Sequence, residues 1–277
     1  MKLLQPVKVA SLFTLSHALP ALLSSLSAQL SSLPAQLLDI PTKNETKPIS
    51  NTPPGQRQHT GKVKYSNNWS GMVLSNPPSK NDTFTDVSAE ITIPHLTADG
   101  PENYQAASIW VGIDGATAPT AILQTGVQVG IIDGKVGYNA WHQWYPSPST
   151  TFPDFKLGAG DTVAVRVYSL SPSSGVAVVE NKSTGQRVSQ DVHAPDDGKA
   201  SITGQNAEWI LEDFQYGGHA VALVDFSPVD FMKCEAKTED GEVVGVGSGS
   251  PFEMVPDSKT LATVQVNDDQ KFVVRHA

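Results

Sequence analysis

Short segments with alternating apolar and polar residues dominate the chain from about residue 69 to its end. In TFTDVSAEITI, alternate positions hold Val87, Ala89, Ile91 and Ile93. Successive side chains of a β-strand point to opposite faces, so this period of two predicts a strand with one buried face. No window sustains a period of 3.6 residues over three turns, which excludes a fold built on long amphipathic helices.

The segments DTVAVRVYSL, GVAVVENK and TLATVQVN continue the pattern, with Gly, Pro, Asn and Asp between them. Their spacing is typical of antiparallel sandwiches and barrels. We therefore predict an all-β fold with two packed antiparallel sheets, in a single domain that spans residues 65–277.

The N-terminal region has a different composition. Residues 1–18, MKLLQPVKVASLFTLSHA, resemble a secretory signal peptide, and a second possible cleavage point follows Ala28. Their apolar run is too short and too interrupted to span a bilayer. Residues 19–64 are basic and end in a Pro-, Thr-, Asn- and Lys-rich stretch, which predicts a largely disordered propeptide or linker. The alternative interpretation is the disordered N-terminus of an intracellular protein.

Two further features bear on export. Cys234 is the only cysteine, so no intramolecular disulfide can form, which argues weakly against secretion. Four Asn-X-Ser/Thr sequons, at Asn44, Asn68, Asn81 and Asn181, argue for it. We expect a secreted, extracellular glycoprotein.

The charges are unevenly distributed. Residues 1–64 hold seven Lys/Arg and two Asp/Glu, whereas residues 65–277 hold 12 and 26. An acidic body repels nucleic acid and anionic membranes, and its self-repulsion decreases when carboxylates take up protons near pH ~4. The pattern suggests function in acid, although an acidic surface also simply favours solubility. The basic segment could pair with this body before its removal.

Several kinds of chemistry lack their sequence signatures. The chain has no His-Glu-X-X-His pair, no Gly-X-Ser-X-Gly elbow and no phosphate-binding glycine loop. We therefore expect no metal and no cofactor. A Ser/His/Asp triad assembled from distant segments remains open, because geometry rather than spacing defines it.

Carboxylates, amides and aromatic residues on predicted strands remain as candidates. In NAEWILEDF, one strand face carries Glu208, Ile210, Glu212 and Phe214. Glu208 and Glu212 are separated by ~13 Å at strand rise. The carboxyl pairs of glycosidases are separated by about 5 to 9.5 Å, so Glu208 needs a different partner.

Two other segments supply candidate partners. In TAILQTG, Gln124 closes an apolar strand, and a buried amide there indicates either function or a cap on a neighbouring strand. In YNAWHQWYP, one face carries Asn139, Trp141, Gln143 and Tyr145. Such a face forms either the wall of a peptide or sugar groove or an ordinary core with polar edges.

The segments NNWSGMVL, SIWVGIDG, TAILQTG, NAWHQWYP, STGQRVSQ and NAEWILEDF, in this order, resemble the glutamic peptidases of the eqolisin family. The resemblance runs from about Asn67 to Pro228. It implies a jelly-roll or concanavalin-like sandwich of two curved antiparallel sheets. It also implies a secreted preproprotein that becomes a cofactor-free acid endopeptidase.

The resemblance assigns residues as well. It implies a catalytic dyad of Gln124 and Glu208. It implies that substrate binding involves Trp69, Trp110, Trp141, Gln143 and Tyr145. This chain has Gln128, Asn139 and Gln143 where family members carry acids, so its cleft is less acidic than theirs. The resemblance therefore does not determine its pH optimum.

Chemistry is consistent with such a dyad. Glu208 would take a proton from water and return it to the leaving nitrogen, while Gln124 would position the water and donate to the oxyanion. We expect hydrogen bonds from Gln124 or nearby amides to lower the pKa of Glu208. The expected partners are protein or peptide substrates and the chain's own propeptide, with no nucleic acid or membrane, and we expect a monomer.

Two other functions remain as alternatives. One is a non-catalytic sandwich that binds glycan or peptide through Trp110, Trp141 and Tyr145. The other is a glycosidase that uses Glu208 with a distant acid such as Glu90.

Overall fold

The structure is a computed structural model, and it describes residues 44–45, 47–48, 63–98, 100–195, 198–217 and 219–277. All of these belong to one compact unit, Leu38–Ala277. The predicted signal peptide and most of the predicted propeptide lie outside the described residues.

Strands and turns make up nearly all of the described chain. The strands are β1 (Asn44–Glu45), β2 (Lys64–Ser66), β3 (Trp69–Leu74), β4 (Phe84–Thr92), β5 (Leu96–Thr97), β6 (Tyr104–Ile113), β7 (Ile122–Ile132), β8 (Lys135–Tyr145), β9 (Thr150–Thr151), β10 (Thr162–Ser171), β11 (Ser174–Asn181), β12 (Gln186–His193), β13 (Ala207–Glu212), β14 (Gln215–Tyr216), β15 (His219–Ala220), β16 (Ala222–Leu223), β17 (Asp225–Phe226), β18 (Val229–Thr238), β19 (Val243–Val244), β20 (Ser250–Met254), β21 (Ala262–Asp268) and β22 (Lys271–His276). Two 3₁₀ turns span Val246–Ser248 and Pro256–Ser258. Within the described ranges, no helix is long and apolar enough to cross a membrane.

The long strands form one antiparallel sheet that curls into two layers. The front sheet has the order β9-β8-β7-β6-β13-β3-β20. The back sheet has the order β21-β22-β18-β4-β10-β11-β12. The two are joined where Met254 of β20 pairs with Ala262 of β21. This arrangement confirms the predicted all-β sandwich with curved antiparallel sheets.

The main core lies between the layers. The back sheet contributes Val87, Ala89 and Ile91 of β4, at the alternate positions predicted from the sequence, and the front sheet contributes Trp209 and Leu211 of β13. Burial of one such face from each layer is the main force that holds a sandwich together.

The other face of the front sheet, which we call the tryptophan face, is also buried. Its apolar cluster comprises Trp69, Val73, Trp110, Ile122, Trp141, Ile210 and Phe252. These residues alternate with core-facing ones along their strands, so the front sheet is apolar on both faces. The polar residues of the candidate site lie among them.

A small separate sheet completes the described fold next to the end of β13. It has the order β1-β14-β15, with Asn44 opposite Tyr216 and Glu45 opposite Gln215. Residues from ahead of the sandwich domain therefore add a strand to a hairpin that follows β13.

Candidate active site

Glu208 and Gln124 lie on one row of the tryptophan face, separated by a single glycine. Glu208 of β13 is opposite Gly112 of β6, Gly112 is opposite Gln124 of β7, and Gln124 is opposite Gln143 of β8. We call these four residues the first polar row. Residues directly opposite each other in a sheet share a face, so the structure brings the acid and the amide together on the same side.

Gly112 places no side chain between Glu208 and Gln124. At ~4.8 Å per strand, the Cα atoms of Glu208 and Gln124 are about 10 Å apart, and both side chains can reach over the glycine. A Cβ atom at position 112 would lie 2.9 Å from Cζ3 of Trp110 and 3.3 Å from Cβ of Gln124. Only glycine fits here, because the side chains of Trp110, Gln124 and Ile122 already fill the space above it in the closed state.

A chain of hydrogen bonds sets the orientation of the Gln124 amide. Its Nε2 donates to Oε1 of Gln143 at 2.7 Å, and Nε2 of Gln143 donates to the carbonyl oxygen of Ser147 at 2.7 Å. Because a backbone carbonyl can only accept, each amide in the chain has a defined polarity. Gln143, assigned to substrate binding through the resemblance, thus contacts the candidate catalytic amide. Gln124 itself is the third residue of β7 and lies near the start of that strand, so the prediction that it closes a strand was wrong.

This chain of amides gives a test of positioning. Replacing Gln143 with leucine removes the acceptor that orients Gln124, and we expect kcat for peptide hydrolysis to fall about tenfold with little change in KM. Gln143→Glu should retain activity in acid, where a protonated carboxyl both accepts from Gln124 and donates to Ser147. It should lose activity as that carboxyl ionises. Identical pH profiles for Gln143→Glu and the parent would contradict the positioning role.

Glu208 is fully buried, and burial raises the pKa of its carboxyl well above the ordinary value. The negative charge of Asp114 raises the pKa further, and the backbone amide of Ala116 lowers it. That amide is close, but neither carboxylate oxygen of Glu208 has a partner within hydrogen-bond limits among the described residues. The expectation of a lowered pKa was wrong for this closed state, because loss of hydration outweighs the nearby donor.

Asp114 holds the segment that leads into β13, a role that the sequence analysis missed. Its Oδ1 accepts the backbone N–H groups of Gln205 at 2.7 Å and Asn206 at 3.1 Å. Its Oδ2 accepts the N–H of Gly204 at 3.1 Å and that of Thr203. Asp114 has a φ of 65°, and its Asp-Gly sequence is a turn signal that could have indicated a fixed loop here. The sequence does not predict the hydrogen bonds that Asp114 makes.

A second polar row crosses the same face four residues further along β13 and β7. It consists of Glu212, Ser108, Gln128 and Asn139 on successive strands. Oε2 of Glu212 accepts Nε1–H of Trp110 at 2.9 Å, and Oε1 accepts from Nδ2 of Asn68 at 3.4 Å. Burial raises the pKa of Glu212 to about 8 and that of the neighbouring Asp213 to about 7. Both carboxyls therefore carry their protons in acid.

The predicted aromatic residues lie between and beside these rows. The rings of Trp69 and Trp110 pack edge to face, with centroids 5.1 Å apart. Trp141 is opposite Gly126, between the two rows, and Tyr145 packs against the same cluster. The structure thus brings every sequence-predicted site residue to one face of the front sheet.

The face is closed in the full chain. Glu208 and Gln124 are both 0% exposed, and the three tryptophans are also buried. Lys47, from ahead of the sandwich, donates its backbone N–H to Oε1 of Glu212 at 3.1 Å. Its Nζ donates to Oε1 of Gln215 at 2.7 Å. Residues N-terminal to the domain therefore lie against the candidate site, which a substrate cannot reach in this state.

The glycosidase alternative loses support from the geometry. Glu90, the suggested glycosidase partner of Glu208, lies on β4 of the back sheet and pairs with Lys233 at 2.9 Å. It does not join either polar row. Among the residues that the structure describes, no group of three His, Cys, Asp or Glu could hold a metal ion.

The buried acids predict that neutral pH destabilises the fold. The raised pKa values mean that the folded chain binds more protons than the unfolded chain between about pH 4 and pH 8. The stability linked to protonated Glu212 and Asp213 is complete below about pH 4 and is lost as the pH rises through their raised pKa values of about 8 and about 7. The raised pKa of Glu208 acts in the same direction. We expect a loss on the order of several kcal/mol, or about 10 °C in Tm. Calorimetry of the full chain at pH 4.5, 6 and 8 measures it, and an equal or higher Tm at pH 8 would contradict the burial of these carboxyls.

Comparison with known proteins identifies the family of the chain. The Peptidase A4 family model matches residues 67–276. Aspergillopepsin-2 of Aspergillus niger is 38% identical over 227 residues, which cover 76% of this chain and 78% of that protein. Scytalidopepsin B of Scytalidium lignicola is 33% identical over 221 residues, which cover 77% and 80%. A crystal structure of scytalido-glutamic peptidase with a transition state analog inhibitor superposes with a TM-score of 0.68 at 30% identity, covering 76% of this chain and 98% of that one. These matches confirm the resemblance to glutamic peptidases, and the chain belongs to the Peptidase A4 family.

Proposed function

We propose that the chain is a secreted acid endopeptidase in which Glu208 and Gln124 form the catalytic pair. The observation that carries this proposal is the first polar row, where an acid and an oriented amide flank a glycine on one sheet face. A structural role explains it poorly, since a buried carboxyl without a hydrogen-bond partner lowers stability. Membership of a peptidase family supports the same conclusion.

The pair can perform hydrolysis without a cofactor. The ionised carboxylate of Glu208 takes a proton from a water molecule as the water oxygen attacks the peptide carbonyl carbon. The carbonyl oxygen becomes an oxyanion, which accepts a hydrogen bond from Nε2 of Gln124. Glu208 then returns the proton to the amide nitrogen as the C–N bond breaks. Gln143 accepts a hydrogen bond from Nε2 of Gln124 and so sets the orientation of the amide.

The protonation state of Glu208 couples this chemistry to opening of the site. While the face is closed, burial keeps the carboxyl protonated and unable to act as a base. Entry of water restores its hydration, so its pKa falls towards the ordinary value of about 4.3. The enzyme then holds an ionised base in mild acid, where the pH exceeds this lowered pKa.

The N-terminal residues would keep the precursor inactive. In this proposal residues 1–18 direct secretion, and residues 19–64 form a propeptide that covers the tryptophan face until it is cleaved. The hydrogen bonds of Lys47 to Glu212 and Gln215 support the proposal that the propeptide covers this face. The propeptide is basic and the domain acidic, so attraction between them should weaken in high salt.

Peptides are the proposed substrates. The tryptophan face offers large apolar surfaces beside polar rows, a combination that suits an extended peptide. A solved relative was crystallised with a transition state analog inhibitor, which is consistent with peptide hydrolysis.

One experiment tests secretion, maturation and activity together. The full chain is expressed in a secreting host, incubated at pH 3 and subjected to N-terminal sequencing. The product is then assayed between pH 2 and pH 5 with denatured casein and with polysaccharides. We expect an N-terminus near residue 65 and cleavage of casein alone. Release of sugars, or binding of either polymer without cleavage, would overturn the proposal.

A further inference from the structure

Lys47 contacts the sandwich domain through both its main chain and its side chain. The backbone N–H donates to Glu212, and the ammonium group donates to the Gln215 amide oxygen at 2.7 Å. Residues 44–45, just before it, pair with β14 as an antiparallel strand. Residues 44–45 and Lys47 therefore contact the domain as parts of an extended peptide do when it binds a protein.

The groups that hold this segment belong to the sandwich domain. One side of β14 pairs with β15, and its other side pairs with β1 among the described strands. When residues 44–45 leave, that side of β14 presents backbone groups to any peptide that adds as a strand. The carboxyl of Glu212 remains as an acceptor for a main-chain N–H, and the amide of Gln215 remains as an acceptor for a side chain.

The side-chain contact favours lysine. A single amide oxygen matches one ammonium hydrogen, whereas the planar fork of arginine is best satisfied by two acceptors. Lysine is also charged throughout the acidic range, so the contact does not change with pH there. The domain's excess of acidic residues adds attraction for a cation.

We infer that Glu212, Gln215 and the open edge of β14 form a lysine-selective peptide subsite. Residues 44–45 and Lys47 fill it in the full chain, and the substrate fills it after maturation. This inference rests on the proposed peptidase function, because it concerns how that site selects its substrates.

Strand register predicts where the lysine lies relative to the cleaved bond. Asn44 is opposite Tyr216 and Glu45 is opposite Gln215, so an antiparallel peptide with lysine in the place of Lys47 advances towards Glu208. Both edges of β13 are paired, so beyond β14 the peptide would continue across the tryptophan face rather than as a strand beside β13. The ~13 Å between Glu208 and Glu212 along β13 corresponds to about four residues of extended peptide. A preferred substrate therefore carries lysine about five residues before the scissile bond.

A set of matched peptides tests the subsite on the acid-matured protein. The peptides share one cleaved bond and differ only in whether lysine or norleucine stands three, four, five or six residues before it. We expect lysine to raise kcat/KM about tenfold at one position, four or five residues before the bond, as for a hydrogen bond to a charged group. In the Gln215→Leu variant, the lysine and norleucine peptides should be cleaved at equal rates.

The outcomes separate the subsite from the peptidase function. Cleavage without any preference for lysine, or a preference that persists in Gln215→Leu, would overturn the subsite alone. If no peptide is cleaved, the proposed function fails, and binding then tests the subsite. The synthetic peptide PTKNETKPIS, residues 41–50, should bind the matured protein about tenfold more tightly than its analogue with norleucine at position 47. Equal affinities would overturn the inference.

Discussion

Replacement of Glu208 with glutamine lowers kcat/KM for peptide hydrolysis by roughly 10²–10⁴-fold, the typical contribution of a general acid–base group. Glutamine preserves the shape of the side chain but cannot take a proton from the attacking water. Far-UV circular dichroism should remain unchanged, because β13 is paired on both sides by β3 and β6. Activity of the acid-matured variant on a fluorogenic peptide, measured across pH 2 to 6, gives the result.

The same substitution has a second consequence that activity assays do not reveal. Glutamine carries no charge at any pH, so the variant loses the destabilisation that arises when Glu208 ionises in its buried position. Its Tm should therefore fall less between pH 4.5 and pH 8 than that of the parent. Glu90→Gln serves as the matched control, because Glu90 lies in the back sheet and pairs with Lys233. Substantial activity in Glu208→Gln, or an equal loss in Glu90→Gln, would remove Glu208 from the catalytic pair.

Replacement of Gln124 with alanine lowers kcat by roughly 10²–10³-fold, the effect of removing one oxyanion donor. The loss should appear in kcat more than in KM, because the donated hydrogen bond strengthens as negative charge develops on the substrate oxygen. The variant also leaves Oε1 of Gln143 without its Gln124 donor, at a cost of about 1–3 kcal/mol in stability. Assays at 25 °C with thermal unfolding measured in parallel separate the two effects.

A neighbouring amide provides the control for Gln124. Gln128 lies four residues further along β7 on the same face and donates to the hydroxyl of Tyr104 at 3.1 Å. Gln128→Ala should lose comparable stability and keep kcat within a few-fold of the parent. Equal kinetic losses in the two variants would mean that the face requires intact packing rather than a specific amide at position 124.

The fold follows from local patterns that the sequence displays. Alternation in TFTDVSAEITI correctly assigned the core face of β4, and the segments around residues 162–170, 175–181 and 262–267 became β10, β11 and β21. β4 and the first half of β10 bury alternate residues, so their period of two reflects their environment directly. β11 is instead buried at consecutive positions, and the end of β21 is exposed. The strand NAEWILEDF also formed, although it ends at Glu212, and Phe214 lies beyond it in a separate small cluster.

The geometry of the site depends on pairings between distant segments, which periodicity does not determine. The sequence supplied Glu208 and Gln124 as candidates, but only the register of β13, β6 and β7 shows that Gly112 lies between them. The contacts of Asp114 with the segment before β13 are hidden for the same reason, since they join residues 89 to 92 positions apart.

The sequence also did not predict that the pKa of Glu208 is raised. Hydrogen bonding and burial act on a carboxyl in opposite directions, and the balance depends on how much water reaches it. The closed tryptophan face, with Lys47 against Glu212, decides that balance in the full chain. A sequence pattern contains no measure of such closure.

The central claim is that Glu208 and Gln124 act on one tetrahedral centre above Gly112. A crystal structure of the acid-matured protein with a peptide that carries a tetrahedral phosphinate in place of the scissile bond tests it most directly. We expect one phosphinate oxygen within about 3 Å of Nε2 of Gln124 and the other within about 3 Å of the Glu208 carboxyl. A phosphinate that binds elsewhere on the sandwich, or on the tryptophan face without contacting either side chain, would contradict it.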